Sequence, residues 1–132
     1  MRVLIVDDNE VLTGLIKEIL EIQGDYHVKT AGNGEEGCKA FVNFKPDVIL
    51  TDIEMPIKNG LQMIKEIRAH HPGIKAIYMS ASPDRYRKLL EDEKLQYKSA
   101  FLNKPLYLSE MIALFQEYQK ATQPGSIEGG VL

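Results

Sequence analysis

Short apolar runs in this 132-residue sequence end in side chains suited to phosphoryl chemistry. Asp7 and Asp8 follow Arg2–Val6, Asp52 closes Val48–Asp52, Ser80 follows Ile74–Met79, and Lys104 stands just past Ser99–Leu102. Three carboxylates brought together repel one another, and the usual remedy is a hard divalent cation with oxygen ligands, so Mg2+ is implied. A carboxylate neutralised in this way can attack a phosphoryl group and give an aspartyl phosphate. Such transfer needs alignment and charge stabilisation more than covalent help from the protein. Lys104 would supply a compact positive charge for one phosphoryl oxygen, and the Ser80 hydroxyl a hydrogen bond for another. Each residue alone has a plainer explanation: Asp52 as a turn cap, Ser80 as a helix-initiating cap, Lys104 as a surface lysine. Their joint appearance at the ends of successive strands favours the chemical one.

For these groups to meet, the strands must lie side by side with their carboxyl ends at one edge. The chain alternates strand and helix patterns throughout. Arg2–Val6, Tyr26–Thr30, Val48–Asp52, Ile74–Met79 and Ser99–Leu102 read as strands, the second nearer an edge because it is less apolar. Asn9 is a plausible cap for a first helix with apolar positions Val11, Leu12, Leu15, Ile16, Ile19 and Leu20, stopped by Gly24-Asp25. Gly32-Asn33-Gly34 opens a helix with Cys38, Phe41 and Phe44 near one face, ended by Pro46. A third helix carries Leu61, Ile64 and Ile67 and ends at His70-His71-Pro72-Gly73. Adjacent histidines do not share a helix face, so a solvated terminus is expected there rather than a metal pair. Pro83 suits the first position of a fourth helix bearing Tyr86, Leu89 and Leu90, and Glu91-Asp92-Glu93-Lys94 reads as solvated surface. Met111, Ile112, Leu114, Phe115 and Tyr118 mark the last helix.

Five strand-helix pairs imply an α/β fold, a doubly wound five-stranded parallel sheet with helices on both faces, because parallel strands need right-handed crossovers. Of the common strand orders, the flavodoxin-like 2-1-3-4-5 fits five strands. Ligands of such sheets bind outside the carboxyl ends of the strands, where the acids, Ser80 and Lys104 fall. Residues 1–121 are expected to form the domain, and 122–132, rich in Gly, Pro and Ser, a linker-like tail.

Composition narrows the function classes. A 44% hydrophobic chain of this length fits one domain with a real core. Sixteen Lys+Arg against nineteen Asp+Glu, a formal charge of -3, give no electrostatic reason to expect nucleic-acid binding by this domain itself. Cys38 has no disulfide partner and no Cys or His neighbours at metal-site spacing, and is expected to pack as a small hydrophobe. With no signal-peptide pattern and no apolar run long enough for a bilayer, no membrane is expected and a cytoplasmic setting is the default.

The sequence resembles the receiver domain of two-component response regulators. Val6-Asp7-Asp8-Asn9 resembles the family's acidic pair after the first strand, Asp52-Ile53-Glu54-Met55-Pro56 with Asn59-Gly60 its phosphoacceptor loop, Ser80-Ala81 its Thr/Ser-Ala step, and Lys104-Pro105 its Lys-Pro step. The match runs from Met1 to about Lys120, and the combination is specific where each piece alone is weak. The resemblance implies that Asp52 is phosphorylated, and that Asp7, Asp8, Asp52 and the backbone carbonyl of Glu54 hold Mg2+. It implies a cis Lys104-Pro105 bond, which a tertiary amide tolerates. Ser80 and Phe101 would be the switch pair, with a strong case that Phe101 is simply a core aromatic.

The implied function is a phosphorylation-controlled switch that takes its phosphoryl group from a phosphohistidine on a sensor histidine kinase or histidine phosphotransfer protein. Its output would pass to an effector domain or output protein, with homodimerisation through the face of the fourth helix, fifth strand and fifth helix as a hypothesis. It would be no enzyme beyond its own aspartyl phosphorylation and dephosphorylation. Two other readings compete. A haloacid-dehalogenase-type phosphohydrolase wants Asp-x-Asp after its first strand, a pattern that Asp7-Asp8-Asn9 and Asp52-Ile53-Glu54 both miss. A phosphorylation-independent scaffold is the alternative; such proteins usually lose an acid or the lysine, and here all are present. Glu54 and Ser82, two residues past Asp52 and Ser80, flank the path of the hydrolytic water in the family.

Overall fold

Alternation along each strand sorts the apolar residues onto two faces, and each face is covered by its own set of helices. In the computed structural model, residues 1–122 are described. The elements are β1 (Arg2–Val6), α1 (Glu10–Ile22), β2 (His27–Ala31), α2 (Gly34–Phe44), β3 (Val48–Asp52), α3 (Gly60–His70), β4 (Lys75–Ser80), a 3-10 turn (Pro83–Tyr86), α4 (Arg87–Tyr97), β5 (Ala100–Asn103) and α5 (Leu108–Thr122). The sheet order is β2-β1-β3-β4-β5 and every pairing is parallel, so the expected 2-1-3-4-5 arrangement is what the chain adopts.

On one face Val3, Ile5, Val48, Leu50, Ile77, Met79 and Leu102 meet Ile16 and Leu20 of α1 and Met111 and Phe115 of α5. On the other, Leu4, Val6, Ile49, Ala76 and Tyr78 meet Phe41 of α2 and Met63, Ile64 and Ile67 of α3. Strand residues two apart share a face, so a single sheet builds both cores. β3 is central and buried along its whole length, the burial that its unbroken apolar run foreshadows.

Asparagines cap the first three helices. Asn9 Oδ1 accepts from the Leu12 N–H at 3.1 Å, Asn33 from Glu36 at 2.9 Å and Asn59 from Gln62 at 2.9 Å, and Gln62 bonds back to complete a capping box. Asn9 and Asn33 sit just beyond the ends of β1 and β2, and Asn59 closes the longer loop that follows β3.

Several elements differ from the expectations. Six apolar positions on α1 span too wide an arc for contact with one sheet: Ile16, Leu20 and Thr13 are buried, whereas Val11 is 82% and Leu15 47% exposed. On α3, Met63 joins Ile64 and Ile67 inside, and Leu61 lies at the margin. β4 and β5 each start and end one residue later than expected, which makes Ser80 the last residue of its strand, paired with Asn103. Pro83 opens a 3-10 turn rather than α4 itself, and Leu89 is 55% exposed. The Glu91–Lys94 run is not wholly solvated: Glu93 turns inward to Arg68 and the Tyr78 hydroxyl. His70 and His71 are exposed at the end of α3 as expected, with the His71 ring 4.8 Å from that of Phe41. Cys38 packs, half-buried, against the α2–α3 core. No helix among the described residues is long and apolar enough to cross a membrane. Thr122, expected to open the 122–132 tail, is the last residue of α5, and the rest of that segment, 123–132, lies outside the described residues.

Candidate functional site

Hydrogen bonds that continue the sheet past its formal ends place the site residues. The Asp7 N–H donates to Ala31 O at 3.1 Å, Ile53 N–H to Met79 O at 3.0 Å, and Lys104 N–H to Ser80 O at 2.9 Å. The carboxyl ends of β1, β3, β4 and β5 therefore finish level with one another. The Lys104-Pro105 bond is cis, as the resemblance implies.

Asp7, Asp8 and Asp52 each offer a carboxylate oxygen, and these oxygens lie within 4.8 Å of one another. Asp7 is 1% and Asp52 8% exposed, while Asp8 faces solvent. Lys104 Nζ bridges the two buried acids, 2.7 Å from Asp7 Oδ2 and 3.3 Å from Asp52 Oδ2. Asp7 Oδ1 accepts from the Asn9 N–H at 3.0 Å, which fixes that carboxylate from its other side.

Burial pushes the Asp52 carboxyl up to about 6, and the charges of Asp7 and Asp8 add to the rise; Lys104 opposes it. For Lys104, burial alone would lower the pKa, but the hydrogen bond to Asp7 and the charges of Asp52 and Asp7 outweigh it, so the ammonium is held above its usual range. Three ionised carboxylates against the Lys104 ammonium leave two negative charges uncompensated. An all-oxygen donor set with that deficit suits a hard divalent cation such as Mg2+.

Ser80 is 1% exposed, and its Oγ accepts from the Ser82 N–H at 2.9 Å, leaving the hydroxyl proton free to donate. Phe101 is half-buried rather than fully interior, set against Tyr78 and Leu90 at the groove between α4 and β5. Glu54 is exposed and pairs at 3.2 Å with Arg85, joining the loop after β3 to the turn after β4 across the mouth of the site. Arg85 escaped sequence reasoning, since a lone arginine in a turn carries no pattern. The Asn59…Gln62 spacing, which caps α3 beside the site, was a legible signal.

The parallel sheet of order β2-β1-β3-β4-β5, with a carboxylate cluster and a bridging lysine at its carboxyl edge, defines a flavodoxin-like α/β domain with an acidic site. Residues 3–116 match the response regulator receiver domain family, and the chain belongs to that family. It is 34% identical over 119 residues to the chemotaxis protein CheY of Thermotoga maritima, covering 90% of this chain and 98% of that one. It is 30% identical over 125 residues to the probable C4-dicarboxylate response regulator DctR of Bacillus subtilis, covering 92% of this chain and 54% of DctR. Among solved structures, the receiver domain of the Francisella response regulator 1452 superposes with a TM-score of 0.78 at 26% identity, over 92% of this chain and 98% of that one. The chain thus spans nearly all of CheY but about half of DctR, and 27% of the DNA-binding transcriptional regulator NtrC of Salmonella typhimurium.

Proposed function

We propose that this domain is a phosphorylation-activated receiver that takes a phosphoryl group from phosphohistidine onto Asp52 and uses it to switch a partner-binding surface. The observation that carries this reading is the bridge of Lys104 to both Asp7 and Asp52 inside the carboxylate cluster. In the transfer, an Asp52 carboxylate oxygen forms a bond to phosphorus while the phosphorus–nitrogen bond of the donor breaks and imidazole leaves with the electron pair. Asp7, Asp8, Asp52 and the Glu54 carbonyl would hold Mg2+, which when bound supplies charge neutralisation for the attacking carboxylate and the phosphoryl oxygens. Lys104 releases Asp52 as the phosphoryl group arrives and pairs with one of its oxygens, and the Ser80 hydroxyl donates to another. Phe101, beside β4 and half-buried, would follow Ser80 inward; the phosphate need only bias two conformers a few kcal/mol apart.

The edge that carries the acids also suits a protein donor. Val11, Ile57 and Tyr107, in the segments that follow β1, β3 and β5, are 82%, 74% and 68% exposed, which offers apolar surface to a protein partner. A sensor histidine kinase or histidine phosphotransfer protein is the donor class that fits, with a cytoplasmic location and an effector domain or output protein downstream. Homodimerisation through α4, β5 and α5 would be one form of output; sedimentation is expected to show a dimer when beryllofluoride and Mg2+ are present, and a monomer in both states removes it.

Intact mass after incubation with acetyl phosphate and Mg2+ tests the chemistry. We expect a gain of one phosphoryl group that disappears in Asp52→Ala and in the presence of chelator. No adduct in the wild-type protein would point instead to a phosphorylation-independent scaffold.

A further inference from the structure

The loop from Ile53 to Asn59, which follows Asp52 and contains Glu54, is held at its far end by α2. The Gly34 N–H donates to the Lys58 carbonyl at 3.1 Å. A Cβ on Gly34 would lie 2.4 Å from that same carbonyl oxygen and 3.0 Å from its carbon, so backbone stands where a side chain would go. Gly34 has no positive φ, and as the first residue of a helix it would be favoured as alanine on propensity. Space against the loop, and not conformational freedom, is what requires glycine here.

The Lys58 side chain is pinned to the same neighbours. Its Nζ lies 2.5 Å from Glu66 of α3 and 4.0 Å from Cys38 Sγ of α2. Immediately before it, Ile57 sits at φ 71°, with the Lys58 N–H donating to Pro56 O at 2.8 Å across it. That is a tight three-residue turn in a backbone region a β-branched residue adopts only under constraint. A strained turn persists where its surroundings over-determine it, and the contacts at Lys58 supply that determination.

We infer that Gly34 is a positioning residue: α2 clamps the Lys58 carbonyl and so fixes the loop that runs on from Asp52 and carries Glu54, whose carbonyl the proposed function gives to the ion. The inference deepens the proposed function and rests on its assignment of that cluster as the Mg2+ and phosphoryl site. Coupling of this kind is reciprocal. If the clamp favours the ion-binding loop, the ion must in turn tighten the loop on Gly34.

Gly37 provides a matched comparison on the same helix. A Cβ there would meet Met63 Sδ at 2.4 Å and Val6 Cγ2 at 3.2 Å, core side chains of α3 and β1 in place of the loop backbone that faces Gly34, so it perturbs α2 packing. Mg2+ titration by calorimetry, on protein shown to be folded by circular dichroism, is expected to give a dissociation constant raised about tenfold in Gly34→Ala. Gly37→Ala should bind as wild type even where its unfolding midpoint falls. On the wild-type protein, which needs no variant to fold, Mg2+ should slow hydrogen exchange of the Gly34 amide. Unchanged Mg2+ affinity in Gly34→Ala, equal weakening in Gly37→Ala, or a Gly34 amide indifferent to Mg2+ would each overturn the clamp. Wild-type protein that binds Mg2+ but accepts no phosphoryl group counts against the proposed function alone, because the clamp is judged on Mg2+ affinity.

Discussion

At Asp52 the protein keeps a carboxylate in a place that disfavours its charge. Burial, with Asp7 and Asp8 close by, lifts its pKa from 3.8 to about 6, and Lys104 recovers only part of the difference. The native state therefore binds more protons than the unfolded chain between about pH 4 and pH 6. The stabilising contribution of the neutral acid is complete below 3.8 and is lost as pH rises through 6. At neutral pH, without a cation, ionised Asp52 costs stability. Asp52→Asn should accordingly raise the urea unfolding free energy of metal-free protein by roughly 1–2 kcal/mol at pH 7.5 and by little at pH 4. No gain at pH 7.5, or the same gain at both, would show that Asp52 is not electrostatically frustrated. The acids and Lys104 were legible because strand ends are conspicuous in a sequence. The 1% exposure of Asp7 and the lysine bridge were not, since they depend on β1, β3 and β5 ending level.

Among the helices, α4 is the one with no buried residue, and polar contacts hold it in place of an apolar stripe. Glu93 Oε1 accepts from Arg68 Nη1 at 2.5 Å, the Tyr78 hydroxyl at 2.6 Å and Ser99 Oγ at 3.2 Å. The Arg68 guanidinium is buried and stacks 3.7 Å from the centre of the Tyr97 ring. Glu93→Ala would leave that guanidinium buried without its counter-charge and the Tyr78 hydroxyl without its acceptor. A loss of about 3 kcal/mol is expected in urea unfolding, with much of it restored by combining Glu93→Leu with Arg68→Met. A loss within about 0.5 kcal/mol, the range of an ordinary surface change, would show that the network does not anchor α4. In sequence Glu93 is one charge in a run of four, and its partner lies 25 residues away, so no local period could mark it as inward. α1 and α3 were easier because an apolar stripe is periodic. Even so, the pattern could not separate Ile16, which meets the sheet, from Val11, which is left facing out.

Across the whole molecule, the strand order was legible because parallel pairing and right-handed crossovers leave few ways to wind five strand-helix pairs. What closes the two cores is also local to the domain. The face carrying Ile5, Leu50 and Met79 is sealed by Phe115 of α5, which meets Tyr26 edge-on at 6.2 Å, with Tyr118 packed at its margin. The opposite face is sealed by α2 and α3. Among the described residues the apolar contacts of both cores are made before Thr122, and we propose on that ground that residues 1–121 form a self-sufficient domain. Deletion of residues 123–132 should leave the urea midpoint and its slope unchanged, and acetyl phosphate should label the shortened chain at the wild-type rate. A slope that falls on deletion would mean that the tail buries surface on the domain. A phosphorylation rate that changes with the midpoint unmoved would place the tail's influence at the carboxyl edge of the sheet instead.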